Sequence, residues 1–185
     1  MAKKPNNNRR DFLQLSTLTL GGIGTAAFIW PFIKSMSPAE DTLAAGSTEV
    51  DISMIEEGQS VTIKWRGKPV FIKKRTKEEI EAAKMVQASD LRDPQDDADR
   101  VQKEEWLVLV GVCTHLGCSP KFFPEVEPKS WDASWTGGYF CPCHGSTFDL
   151  VGRVFKGVPA PTNLKVPPHN FKGNILTIGE DEEMS

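Results

Sequence analysis

All four cysteines of this chain, and two of its three histidines, fall in two six-residue segments. The first is Cys113-Thr114-His115-Leu116-Gly117-Cys118 and the second is Cys141-Pro142-Cys143-His144-Gly145-Ser146. Thiolate and imidazole are strong metal donors, so a fold for this sequence must bring two loops together around whatever those groups hold. Three simple arrangements fit poorly. Tetrahedral zinc would be satisfied by two cysteines and two histidines, but two cysteines are then left over, and C-x-H is a poor zinc-finger spacing. Two plain disulfides would make both histidines coincidences. Covalent haem needs C-x-x-C-H, and Cys141-Pro142-Cys143-His144 is one residue short. A 2Fe-2S cluster with cysteines on one iron and histidines on the other uses both histidines, and it leaves a cysteine pair able to close as a disulfide.

The chain of 185 residues has room for one compact domain and an appendage. The appendage is N-terminal. Phe12 to Ile33 is a run of 22 residues without a charge. As a helix it would measure roughly 33 Å, enough for a bilayer core of about 30 Å. Lys3, Lys4, Arg9 and Arg10 all precede it, which predicts a cytoplasmic N-terminus and a head on the opposite side. Gln14, Ser16 and three threonines dilute the run, so a cleaved secretory signal is the competing reading. The run is longer than a typical signal core, and the small-x-small pattern after it is weak. Asn8-Arg9-Arg10-Asp11-Phe12-Leu13 resembles a twin-arginine export signal. The expected divisions are a basic segment over 1–11, a membrane-spanning helix over 12–33, a tether or hinge over 34–47 and a head over 48–185.

The head reads as antiparallel β. Glu49 to Ile52 alternates, and Ser60 to Trp65 places Val61, Ile63 and Trp65 on one face. Gly67-Lys68 is a turn signal, so 60–74 is expected to be a hairpin. Thr76-Lys77-Glu78-Glu79 carries the capping-box pattern and opens a short helix to about Met85. Asp90 to Glu105 holds seven acids and three bases without periodicity and is expected to be a surface loop. Trp106 to Val112 is a continuous apolar strand delivering the chain to Cys113, and Ile175 to Ile178 is a last strand before an acidic tail. His169 is expected in a surface loop, and Trp131, Trp135 and Tyr139 in the packing of a small subdomain. The net charge of −3, from 22 basic and 25 acidic residues, argues against a nucleic-acid partner.

The two cysteine–histidine segments resemble those of the Rieske iron–sulfur proteins, and in particular the subunit of respiratory quinol–cytochrome c reductases, the cytochrome bc complexes. Gly157-Val158-Pro159-Ala160-Pro161 resembles the proline loop that covers the cluster in that branch. The resemblance implies a mainly β head with a cluster-binding subdomain over about 107–161. It implies one 2Fe-2S cluster, with Cys113 and Cys141 on one iron and His115 and His144 on the other. It also implies a disulfide between Cys118 and Cys143. Ser146 aligns with a serine whose hydroxyl donates to a cluster sulfide. Phe148 departs from the tyrosine common at its position, which implies a lower midpoint potential.

Charge counting explains such a ligand set. Two ferric ions, two sulfides and two thiolates sum to zero with neutral imidazoles, against −2 for a four-cysteine cluster, so the mixed cluster takes an electron more readily. Imidazole can also exchange a proton at its outer nitrogen, so the potential is expected to fall as pH rises. By resemblance the chain is part of an enzyme, a quinol–cytochrome c reductase in a bacterial inner membrane. His144, with His115, would face the quinol and Leu116 would exclude water beside it. Cytochrome b and a c-type cytochrome would be partners in a dimeric complex, and the head would be periplasmic. The rival readings are the Rieske small subunit of an exported molybdenum oxidase and a zinc-bound structural domain.

Overall fold

The computed structural model describes residues 8–36 and 46–179. Most of the expected tether over 34–47, the first lysines of the basic segment and the acidic tail from Glu180 lie outside the described residues. Two units separate along the chain, Met1–Ala44 and Ala45–Ser185.

Among its described residues the first unit contains one helix, α1 (Asn8–Ser35, 28 residues), longer than the expected span at both ends. It is long and apolar enough to cross a membrane, its most apolar stretch of 18 residues having a mean hydropathy of 1.4. Its threonines do not leave free hydroxyls on that surface. Thr17, Thr19 and Thr25 each donate to the carbonyl four residues back, on Leu13, Leu15 and Gly21, at 2.8 Å. A hydroxyl satisfied by its own helix tolerates hydrocarbon far better than an unpaired one.

The second unit is built from three antiparallel sheets of three strands. Strands β1 (Thr48–Asp51), β9 (Ile175–Ile178) and β8 (His169–Lys172) form one, in that spatial order. Strands β2 (Ser60–Trp65), β3 (Lys68–Lys74) and β4 (Trp106–Val110) form the second. Strands β5 (Lys121–Phe123), β6 (Gly138–Cys141) and β7 (Ser146–Phe148) form the third. The β2–β3 hairpin pairs Trp65 with Lys68. Its two turn residues Arg66 and Gly67 both have positive φ, 46° and 77°, as a turn matched to strand twist requires. Helix α2 (Lys77–Met85) has the full capping box, with Thr76 and Glu79 satisfying each other's backbone N–H.

Strand β4 explains why its sequence is apolar without alternation. It is buried on both faces. Trp106 and Val108 enter one core with Ile52, Ile55, Trp65, Val70, Ile72, Leu176 and Ile178, here the base core. Leu107 and Leu109 enter another with Cys113, Tyr139, Cys141, Phe148, Val151 and Ala160, here the tip core. The strand ends at Val110, two residues before the expected boundary.

Three expectations are revised. The segment 90–105 is mostly exposed, as a surface loop would be, but it is not without structure or buried residues. It carries a 3-10 turn at Asp97–Arg100, and Asp97 and Arg100 are both buried. His169 is not in a surface loop but in β8, 3% exposed, with Nδ1 2.8 Å from the Pro167 carbonyl. The expected face of β2 is graded, with Trp65 buried, Ile63 half-buried and Val61 exposed.

Candidate metal centre

Two turns of matching form present the cysteines and histidines. In the first, Gly117 N–H donates to the Cys113 carbonyl at 3.0 Å; in the second, Gly145 N–H donates to the Cys141 carbonyl at 3.0 Å. Each glycine stands four residues after its cysteine and has positive φ, 88° and 73°. A side chain there would be strained, so the turn form itself calls for glycine. Cys113 also donates its N–H to the Cys118 carbonyl at 2.7 Å, which closes the first loop on itself. The second loop is the connection of the β6–β7 hairpin, where Cys141 pairs with Ser146. Thr114 Oγ1 donates to the Thr162 carbonyl at 2.6 Å and ties the first loop to the chain beyond the proline loop.

Cys118 and Cys143 form a disulfide between the two loops. Cys113 and Cys141 remain free and are each 2% exposed. Sulfurs of Cys118, Cys141 and Cys143 lie within 4.8 Å of one another, but two of these are committed to each other and cannot serve as thiolates. Burial pushes the Cys141 thiol up. The N–H groups of Cys143 and His144 act in the opposite direction, while the neighbouring Cys113 thiol adds to the rise. Two buried thiols side by side, one of them facing backbone donors, suit thiolates that share a cation.

On the same two loops the imidazoles of His115 and His144 meet edge to face, with ring centroids 4.8 Å apart. Nδ1 of His115 is buried and makes no hydrogen bond. An orphaned ring nitrogen costs free energy unless something coordinates it. The donor set therefore fits an iron–sulfur cluster on the chemistry present: two buried free thiols, two adjacent imidazoles and one ring nitrogen without a partner. His144 is exposed, and Leu116 beside His115 is 71% exposed, so the tip presents an imidazole and an apolar side chain outward.

The other sequence-predicted residues lie around this centre. Ser146 is 1% exposed, and its Oγ accepts from Ala160 N–H of the proline loop at 3.0 Å, which leaves its own O–H to donate elsewhere. Phe148 is fully buried in the tip core that contains Cys113 and Cys141. Tyr139 and Trp135 are buried, and Trp131 stacks on Phe140 at 4.2 Å. Sequence reasoning missed the polar wiring behind the tip. Asp149 accepts from Arg153 Nε at 2.6 Å and from Arg153 N–H at 2.7 Å. Arg153 continues to the Ala83 and Gln95 carbonyls. Arg75 meets Asp97 through both terminal nitrogens. Arg100 donates to the Val151 and Leu164 carbonyls. Apart from Asp149 and Arg153, which stand four residues apart, these partners are far apart in sequence.

Comparison with known proteins agrees with this geometry. Residues 48–168 match the family described as the Rieske [2Fe-2S] domain. Residues 1–39 match the family described as the ubiquitinol-cytochrome C reductase Fe-S subunit TAT signal. The chain is 54% identical over 172 residues to the ubiquinol-cytochrome c reductase iron-sulfur subunit of Rhodospirillum rubrum, covering 93% of this chain and 91% of that one. It is 49% identical over 164 residues to the mitochondrial cytochrome b-c1 complex subunit Rieske of Schizosaccharomyces pombe, covering 87% and 68%. Among solved structures, a chain of a hyperthermophilic respiratory Complex III is similar at 28% identity with a TM-score of 0.50, covering 88% of this chain and 98% of that one.

Proposed function

The chain belongs to the Rieske [2Fe-2S] family, and on that premise we propose that Cys113, Cys141, His115 and His144 hold its cluster. The chain is the electron-transfer subunit of a respiratory cytochrome bc complex, taking an electron and a proton from quinol and passing the electron to a c-type cytochrome. It is an oxidoreductase as a subunit of that complex. The strong match to a quinol reductase subunit along nearly both chains favours this over the molybdenum-oxidase reading. The observation that carries the ligand assignment is that the same two loops bear two free buried thiols and two touching imidazoles, with His115 Nδ1 lacking a hydrogen-bond partner.

When bound, the cluster supplies a one-electron acceptor at a potential a quinol can reach. This chain's residues do the rest. The disulfide holds the two loops in one register, so the thiols and imidazoles stay opposed. His144, exposed at the tip, accepts the hydrogen bond of the quinol and can take its proton at the outer ring nitrogen. Leu116 covers apolar surface of the quinol pocket and excludes water beside the imidazole. Ser146 directs its O–H toward the cluster, since its acceptor side is already used by Ala160.

The anchor, the head and the partners complete the reading. Helix α1 spans the bacterial inner membrane once, with Arg9 and Arg10 on the cytoplasmic side and the head in the periplasm. The head comprises residues 48–185. Its cluster-binding part runs over about 107–161. Cytochrome b and a c-type cytochrome are its partners in a dimeric complex, and ubiquinol is the donor. Similarity to subunits of a ubiquinol-cytochrome c reductase and of a cytochrome b-c1 complex supports the quinol and the cytochromes. EPR of dithionite-reduced membranes containing the full chain tests the reading. A 2Fe-2S signal that shifts when a quinol-site inhibitor is added is expected. A cluster signal indifferent to every quinol-site inhibitor would remove the quinol-facing role of the tip.

A further inference from the structure

The proline loop has little hydrogen bonding of its own. Pro159 and Pro161 carry no backbone N–H, and Ala160 N–H is directed at Ser146. Besides the burial of Ala160 in the tip core, one side chain of the segment 90–105 bonds the loop's carbonyls from outside. Arg92 Nη1 donates to the Val158 carbonyl at 3.0 Å and to the Ala160 carbonyl at 3.2 Å. The segment that carries Arg92 is fixed against the start of the loop. Arg92 N–H donates to the Val154 carbonyl, Lys156 N–H to the Asp90 carbonyl, and Leu91 bridges Phe155. Its neighbour Asp93 fixes the far end, accepting from Asn163 N–H at 3.1 Å and from Asn163 Nδ2 at 2.9 Å. Asn163 Oδ1 in turn accepts from Val154 N–H, closing 154–163 into a ring.

We propose that Arg92 is a positioning residue for the cluster: it clamps the proline loop so that Ala160 N–H stays on Ser146 Oγ and the Ser146 hydroxyl stays free to donate inward. The inference rests on the Ser146 role given above. Ala160 sits at the junction. Its carbonyl is held by Arg92 and its N–H by Ser146, so loosening one side loosens the other. A hydroxyl whose acceptor side is unoccupied can rotate away, and a hydrogen bond to the reduced, more negative cluster is then lost. Loss of that bond lowers the midpoint potential. Arg92 is at the surface, so its replacement alters this clamp without opening either core.

The test is a redox titration of the full chain in membranes, followed by EPR, on wild type, Arg92→Gln, Ser146→Ala and the double variant. Arg92→Gln is expected to lower the midpoint and to release iron to a ferrous chelator several-fold faster. The downward shift should shrink in the Ser146→Ala background, because both changes then remove the same hydrogen bond. Arg92→Lys, whose ammonium can still meet a loop carbonyl, should recover part of the shift. It also serves as the measurable variant should Arg92→Gln lose its cluster entirely. An unchanged midpoint in Arg92→Gln would overturn the clamp, and so would shifts that simply add in the double variant, which would point to a distant charge effect instead. A wild-type chain without any cluster signal would instead sink the reading on which the clamp rests.

Discussion

The two cores on either face of β4 are stabilised differently. The base core, around Trp65, Trp106 and Leu176, consists of large apolar side chains packed between two sheets. The tip core contains Cys113 and Cys141 among its apolar residues. It is backed by the buried pairs Arg75–Asp97 and Asp149–Arg153 and bolted by the Cys118–Cys143 disulfide. Apolar burial contributes in proportion to area, and the tip core has its own share, with Leu107, Leu109, Tyr139, Phe148 and Leu164 buried in it. Directional bonds are added to that burial at the tip, and they fix the loops. Burial alone would let two turns slide; a cluster site needs them held to a fraction of an ångström.

That contrast can be broken most directly at the ligands. Cys141→Ser or His115→Ala should abolish the cluster EPR signal completely while the far-ultraviolet circular dichroism of the base sheets persists. A base that unfolds with the tip would show that the two cores are one cooperative unit. Next in size is Asp149→Asn, which strands the Arg153 guanidinium in the interior. Breaking a buried pair on one side costs about 3–5 kcal/mol, so chemical denaturation should lose that much. A cost below about 1 kcal/mol would mean that the pair is not holding the tip. Replacing both Cys118 and Cys143 by alanine reopens a loop with a sequence separation of 25 residues. Chain entropy puts that at about 3–4 kcal/mol at most, and hydrogen exchange should rise in both cluster loops before it rises in β4. The smallest effect sharpens the comparison at the cluster itself. Phe148 lies in the tip core without a hydroxyl, and Phe148→Tyr adds one donor. A differential hydrogen bond of about 1 kcal/mol corresponds to roughly 40 mV for one electron. Protein-film voltammetry should show that rise, and no rise would remove Phe148 as a determinant of the potential.

What could be read in the sequence follows the same division. Local rules were legible where a few adjacent residues decide the outcome. Arg66-Gly67 makes one hairpin turn, Thr76 to Glu79 caps one helix, and Phe12 to Ile33 lies within one long apolar helix. The cluster loops were legible because coordination demands particular atoms at particular spacings, and few other chemistries use them all. The wiring of the tip was not legible. Arg153 reaches Ala83 across 70 residues, and Arg92 reaches Ala160 across 68. A run of charges reads as solvated when its partners are that far away in sequence. Strand β8 was hidden for a related reason: His169, Asn170 and Lys172 look polar, yet the first two are buried by pairing with β9.

Pulsed EPR of the reduced full chain, with histidine labelled with nitrogen-15, addresses the ligand assignment without reference to turnover. Strong couplings to two imidazole nitrogens are expected, with either His115→Ala or His144→Ala removing the signal altogether. A reduced centre without nitrogen coupling, or a colourless protein carrying zinc in its place, would contradict mixed thiolate and imidazole coordination by these two loops.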